Sequence, residues 1–329
     1  MNASVARFNA EEVERKPGKV LIGTASWTDK SLITSGRFYP PKCSSPEDRL
    51  RYYATIFPLV EVDSSYYAMP AARVAQLWAE RTPTDFTFNI KAFRLFTGHQ
   101  TAPAALPKDI GTALGTAAKH VYYKDLPVEL RNEMWARFRE GIAPLKQSGK
   151  LAAVHFQFAP WVAFHSQNFE HIEHCQQQLA GYQLSVEFRN RSWFEGRHRA
   201  ATLGFERARE LVNVVVDEPQ GSANSIPAVW EVTNPKLSSL RLHGRNHETW
   251  NKKGLTSSAD RFNYDYSDAE LGAFAEQIGA ISASSVHVVF NNNYEDQGQR
   301  NARSLMAIMA DDARLPRTIP AHNVPAEPT

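Results

Sequence analysis

Eight short apolar runs, separated by longer polar stretches, constrain what this chain can fold into more than any other feature. They cover residues 19–27, 59–63, 86–91, 151–157, the run opening at Leu184, and residues 212–217, 239–243 and 286–291. Helical patterns are predicted over 46–57, 71–81, 127–146, 169–180, 197–211, 267–281 and 299–310, with Pro70 and Pro127 suited to helix starts. The stretch between the sixth and seventh runs, rich in Pro, Gly and Ser, carries no convincing helix. Strands that alternate with helices imply parallel pairing, because parallel neighbours need a long crossover. Eight such units in about 300 residues fit a closed (β/α)8 barrel better than an open sheet. The expected fold is therefore α/β, a TIM-barrel-like single domain over 19–312, with a charged lead-in at 1–18 and a tail at 313–329. Two connections are unusually long, 93–126 and 245–266, and are expected to lie over the C-terminal face as site covers.

Composition narrows the class further. With 43% hydrophobic and 22% charged residues the chain has the balance of a soluble globular protein. A net charge of +2 argues against the concentrated basic surface of a dedicated nucleic-acid binder. Cys43 and Cys175 are too few and too far apart for a disulfide framework. The opening residues are polar, with Glu11, Glu12, Glu14, Arg15 and Lys16 and no apolar centre, so neither a signal peptide nor a membrane span is expected. The expected compartment is the cytoplasm.

Function is carried by the ends of the runs. In Leu184-Ser-Val-Glu-Phe-Arg-Asn-Arg-Ser-Trp193, alternation puts Ser185, Glu187 and Arg189 on one face and Leu184, Val186 and Phe188 on the other. A carboxylate and a guanidinium on a strand built for burial must pair or face a ligand. The other ends repeat the pattern. They supply Trp27, then Glu61 and Asp63 with Tyr67, Asn89 and Lys91, His155 and Gln157, Asp217, Arg241, His243 and Arg245, and Asn291 and Asn292. In a (β/α)8 barrel these positions build the functional face.

The same residues carry a resemblance. Ile22-Gly-Thr-Ala-Ser-Trp27, Phe38-Tyr-Pro40, Val60-Glu-Val-Asp-Ser-Ser-Tyr-Tyr67, Phe156-Gln-Phe158, Val186-Glu-Phe-Arg189 with Ser192-Trp193, Leu242-His-Gly-Arg245 and Phe290-Asn-Asn292 follow in the order typical of one family. The chain resembles the YecE-like family, the domain of unknown function numbered seventy-two, from about Val20 to Ala310. The resemblance implies a TIM-barrel-like fold, one domain and these pocket positions, and brings no agreed activity. Ala25-Ser26, Asp63, Ala159 and Asn190 depart from the family's usual residues. The last departure weakens any mechanism that needs a histidine beside Arg189.

Three chemistries compete for these positions. In the first, Glu61 and Glu187 divide acid and base roles, as paired carboxylates do in glycoside cleavage, and Lys91 stabilises a developing oxyanion. Asp217 and His243 complete the ionisable set. Replacing Glu187 with Gln is then expected to abolish turnover and leave folding largely intact. In the second, His155, Glu187, Asp217 and His243 imitate the metal-holding set of endonuclease IV-type barrels. His171, His174 and Cys175 share a helix face, read as solvated surface rather than a zinc site. In the third, Arg189, Arg241 and Arg245 hold an anion, Trp27, Tyr67, Trp193 and Trp250 stack on a sugar or base, and Gln157, Asn291 and Asn292 address hydroxyls. No phosphate loop, dinucleotide fingerprint or nucleophile elbow is present. The expectation is cofactor-independent, metal-free acid–base chemistry of hydrolase or lyase type on a small polar, sugar-like or phosphorylated ligand. The alternative is a nucleic-acid- or nucleotide-binding protein.

Overall fold

Each apolar run hydrogen-bonds in parallel to the run before it and the run after it, and the eighth pairs with the first. The computed structural model describes residues 18–221, 225–255, 257–313, 315, 316 and 318. Most of the expected lead-in and tail lie outside the described residues. In chain order the first half contains β1 (Lys19–Ala25), α1 (Lys30–Ser35), α2 (Pro46–Ala54), β2 (Leu59–Val62), α3 (Ser64–Tyr67), α4 (Ala72–Glu80), β3 (Thr87–Lys91), α5 (Lys108–Leu114) and α6 (Val128–Gln147). The second half contains β4 (Leu151–Gln157), α7 (Ser166–Gln178), β5 (Leu184–Glu187), α8 (Arg197–Ala208), β6 (Val212–Asp217), β7 (Ser238–Leu242), α9 (Asp268–Gly279), β8 (Ser285–Phe290) and α10 (Gln297–Asp311). This is the closed (β/α)8 barrel that the alternation implies.

The long helices start where their sequences cap them. Ser45 and Asp48 form a reciprocal capping box at α2, with Pro46 in the first turn, and Ser267 and Glu270 do the same at α9. Helices α1, α3 and α5 were not expected, because with 6, 4 and 7 residues they are too short to display a 3.6-residue period. Between β6 and β7 no helix occurs among the described residues. There the Asn213 side chain donates to Val229 O, while Thr233 Oγ1 accepts from Asn213 N and donates to Leu211 O, so side chains satisfy the connection's polar backbone.

The main apolar core lies between the strands' outer faces and the helices. Inside the barrel, Leu21, Ala25, Leu59 and Val289 form a small separate cluster. Gly23 belongs to this layer, where an added Cβ would stand 1.9 Å from Leu59 O, so only glycine lets β1 and β2 pair here. Tyr53 of α2 crosses the same seam, accepting from Thr24 N at 2.9 Å and donating to Leu59 O at 3.0 Å. Ala153, Val212 and Leu237 form another small cluster, and between these apolar groups polar side chains meet in pairs: Asn89 and His287 lie 3.2 Å apart, as do His155 and Ser185. Among the described residues, no helix is long and apolar enough to cross a membrane.

The expected solvated face of α7 is corrected. His171 Nε2 lies 2.7 Å from Phe96 O, His174 Nε2 lies 2.7 Å from Tyr123 Oη, and Cys175 is fully buried beside them. Part of the long 93–126 connection packs down against α6 and α7, with Phe96 stacked on Trp135, and these side chains bind it there.

Candidate functional site

Arg241, on the inner face of β7, stands between the two carboxylates that sequence reasoning paired. Its Nη2 donates to Glu61 Oε1 and its Nη1 to Glu187 Oε2, both at 2.7 Å, and all three side chains are buried. Glu187 gathers further donors. Gln157 Nε2 lies 2.6 Å and Arg189 Nη1 3.0 Å from Oε1, with His243 Nε2 at 3.3 Å. His155 Nε2 lies 3.5 Å from Oε2. Burial would raise the Glu187 carboxyl, but the charge of Arg241 and the histidine contacts overcome it and hold the group well below the usual carboxylate range. Burial likewise opposes the charge on Arg241, and Glu61 and Glu187 keep it protonated. Arg189 also reaches Glu218 Oε2 at 2.7 Å, and burial pushes that carboxyl up.

His243 is fixed by the anion beside it. Its Nε2 lies 3.3 Å from both Glu187 Oε1 and Arg189 Nη1, and its Nδ1 lies 2.8 Å from the Asn291 side-chain amide. Burial holds this imidazole neutral, with its pKa pushed down to about 3. Above it opens a cavity of about 320 Å3, lined by His99, Gln157, Arg189, His243, Trp250, Arg261 and Phe262 among others. Trp250 and Phe262 form an aromatic wall, with ring centroids 6.0 Å apart and each about that distance from His243. Arg189 lies 5.5 Å over the Trp250 ring.

His99 brings a free base to this mouth. The Thr97 hydroxyl gives its one proton to Arg94 O at 3.0 Å, so at 2.9 Å it accepts from His99 Nδ1–H. That tautomer leaves a lone pair on Nε2, which has no partner among the described residues. Burial, with Arg94, Lys91 and Arg189 nearby, lowers this imidazole's pKa to about 3.

A family model described as "Protein of unknown function DUF72" matches residues 21–325. The chain belongs to the DUF72 family. UPF0759 protein YunF of Bacillus subtilis (strain 168) is 31% identical over 294 residues, spanning 88% of this chain and 94% of that protein. A solved DUF72 family protein from Enterococcus faecalis V583 superposes with a TM-score of 0.71 at 25% identity, covering 91% of this chain and 99% of that one. A second, from Thermotoga maritima MSB8, gives 0.67 at 26% identity over 89% and 100%. The family resemblance read from the motifs stands.

Not every predicted position reaches the mouth of this DUF72 barrel. Glu61 and Glu187 face inward as expected, but Arg241 bridges them and neither lines the cavity. Arg241 is thereby enclosed, with both terminal nitrogens directed at carboxylates. Lys91 turns to Asp63 at 3.2 Å and lies 5.0 Å over the Tyr66 ring. Asp217 points to the other face of β6, where Arg245 grips it with contacts of 2.8 to 3.0 Å and Tyr266 donates at 2.6 Å. Arg245 continues to Glu270 at 3.0 Å, so this pair clamps the 245–266 connection to α9. The quartet His155, Glu187, Asp217 and His243 therefore does not converge. Among the described residues no group of three or more His, Cys, Asp or Glu side chains is arranged to hold a metal ion.

The stacking and amide positions divide as well. Trp193 is fully buried in the outer core, stacked on Phe188 at 4.0 Å, and Trp27 packs edge-on against Trp78. Tyr67 is 61% exposed and borders a separate groove of about 570 Å3 with Met69, Pro70, Leu106 and Pro107. That groove is larger than the mouth but lies away from the inner ionisable cluster, so the mouth is the better site. Asn292 is committed to Tyr264 O and Asn301 Oδ1. Sequence reasoning missed His99, Glu218 and Arg261. His99 lies eight residues beyond β3, and Arg261 deep in a connection, where no strand parity points inward.

Proposed function

We propose that the barrel mouth is an active site for cofactor-independent acid–base chemistry, of hydrolase or lyase type, on a small polar ligand bearing an anionic group. One observation carries the reading: Arg189 and His99, whose Nε2 is left unprotonated by the Thr97 contact, line the same cavity. Arg189 supplies forked donors for a carboxylate or phosphate. His99 accepts a proton or a hydrogen bond from the ligand, and an anion held beside it raises its basicity. His243, neutral and oriented through Glu187 and Asn291, borders the same space. Trp250 and Phe262 offer an apolar wall to a ring or carbon chain. In this arrangement Glu187 acts as the fixed charge that positions Arg189, Arg241 and His243, rather than as the group that moves a proton.

The experiment is a thermal-shift screen against sugar phosphates, nucleotides, carboxylates, short oligonucleotides and divalent metals. A ligand at 100 times its dissociation constant stabilises the fold by about 2.7 kcal/mol. The expected result is a small-molecule hit that Arg189→Gln removes and wild type slowly converts. A hit that survives Arg189→Gln sinks the assignment. The same aromatic wall and Arg261 favour a second reading, nucleotide or nucleic-acid binding, which predicts shifts with oligonucleotides alone and steep salt dependence.

A further inference from the structure

The opposite end of the barrel holds a second cavity, of about 400 Å3, that the mouth chemistry does not use. Lys19, Lys236, Ser285 and His287 contribute to its lining. Lys19 and Ser285 are register partners on β1 and β8, and His287 pairs with Leu21 one step further in, so the three side chains share the inward face. Both lysines are exposed, and neither has an acidic partner among the described residues. Lys150 also lines the cavity, but its ammonium is spent on Ala79 O, Thr82 O and Thr82 Oγ1 at 2.6 to 3.1 Å.

Two buried groups at this end are incompletely satisfied. Ser285 is 8% exposed, and its Oγ has no hydrogen-bond partner among the described residues, which is costly for a buried hydroxyl unless something else meets it. His287 Nδ1 lies 3.2 Å from Asn89 Oδ1 and donates to it, so Nε2 carries a lone pair and has no partner among the described residues. Burial, helped by the charge of Lys19, keeps this imidazole neutral.

We propose that this N-terminal cavity binds a protonated oxyanion, hydrogen phosphate or the singly protonated monoanion of a phosphate monoester, through Lys19, Lys236, Ser285 and His287. The ammonium groups and the Ser285 hydroxyl donate to the anionic oxygens, and His287 Nε2 accepts from the P–OH. The acceptor sets the selectivity. Sulfate, with no proton near neutral pH, leaves Nε2 unmatched and places an anionic oxygen against its lone pair. The cavity exceeds one phosphate, which leaves room for the organic group of a monoester.

The test follows the His287 imidazole by NMR while the full chain at pH 6, where the monoester still carries a P–OH and sulfate does not, is titrated with inorganic phosphate, glycerol phosphate or sodium sulfate at matched ionic strength. Saturable movement of the His287 signals by phosphate is expected, with sulfate weaker by roughly tenfold, as for loss of one hydrogen bond at a charged group. Lys19→Ala with Lys236→Ala, at exposed positions, is expected to abolish saturation, and Ser285→Ala to weaken it. Tighter binding of glycerol phosphate assigns the site to monoesters, and tighter inorganic phosphate to the free ion. Unmoved His287 signals, an equal response to sulfate, or binding unchanged in the lysine variant each overturns the proposal.

Discussion

Arg241 Nη1 lies 2.7 Å from Glu187 Oε2 inside the barrel, with neither side chain open to solvent. Removing one member of such a pair strands the other charge in a medium that cannot hydrate it. Arg241→Ala is therefore expected to lower the unfolding free energy by about 3–5 kcal/mol in urea titration. Glu187→Gln is expected to destabilise too, because the new amide nitrogen must face Arg241, Arg189 or Gln157, all of which are donors there. The expectation from sequence that this variant would keep the fold largely intact is thereby revised. A Glu187→Gln protein with wild-type stability would show that the cluster is not held by ionised Glu187.

His99 should be the most reactive of the inner histidines toward diethyl pyrocarbonate, which attacks an accessible unprotonated ring nitrogen. Its Nε2 has no hydrogen-bond partner among the described residues and the residue lines the mouth, whereas His243 has one nitrogen against Glu187 and Arg189 and the other against Asn291. Peptide mass spectrometry after brief treatment reads the difference. Preferential modification of His243 would reverse the two assignments. Thr97→Val removes the acceptor that fixes the tautomer, and should split the His99 nitrogen signals between two forms.

Strand parity carried most of what was legible. Glu61, Asn89, Lys91, His155, Gln157, Glu187, Arg241, His243 and Asn291 are barrel residues whose inward orientation follows from alternation along each run. Asp217 and Trp193 share the exits of those strands but not the inner face: β6 points Asp217 outward, and β5 ends at Glu187, six residues before Trp193. What stayed hidden depends on long-range packing. That one guanidinium joins Glu61 to Glu187 is a contact across 180 residues, and His99 reaches the mouth only because the 93–126 connection is pinned to α7. No local period encodes either.

Acid should weaken the fold well before its carboxylates titrate. His243 and His287 are buried neutral, with pKa values of about 3, against about 6.5 in the unfolded chain. Between those values the unfolded state binds the extra protons, so stability rises with pH across that window and falls as pH is lowered through it. Each group contributes a slope of about 1.4 kcal/mol per pH unit. Glu187, depressed in the fold, adds a further loss once pH drops below the unfolded carboxylate value. Urea midpoints at pH 7, 5.5 and 4.5 should decline steadily. Equal midpoints at pH 7 and 5.5 would mean that these imidazoles are protonated in the fold.

Glu206 on α8 has the opposite sign. It is fully buried, neither carboxylate oxygen has a partner among the described residues, and burial pushes the group well above the usual range despite Arg207 nearby. The folded chain thus holds a proton that the unfolded chain releases above its own value of about 4.5, so this residue's contribution falls as pH rises. Glu206→Gln keeps the shape and removes the titration. Relative to wild type it should gain stability as pH is raised from 5.5 to 8, by more than about 1 kcal/mol across that interval. Glu206→Met also removes the unpaired polar atoms and should be the more stable at every pH. The readout is the difference in urea midpoint between variant and wild type. A difference for Glu206→Gln that stays constant with pH would mean that Glu206 is ionised in the fold and has a cation to meet it.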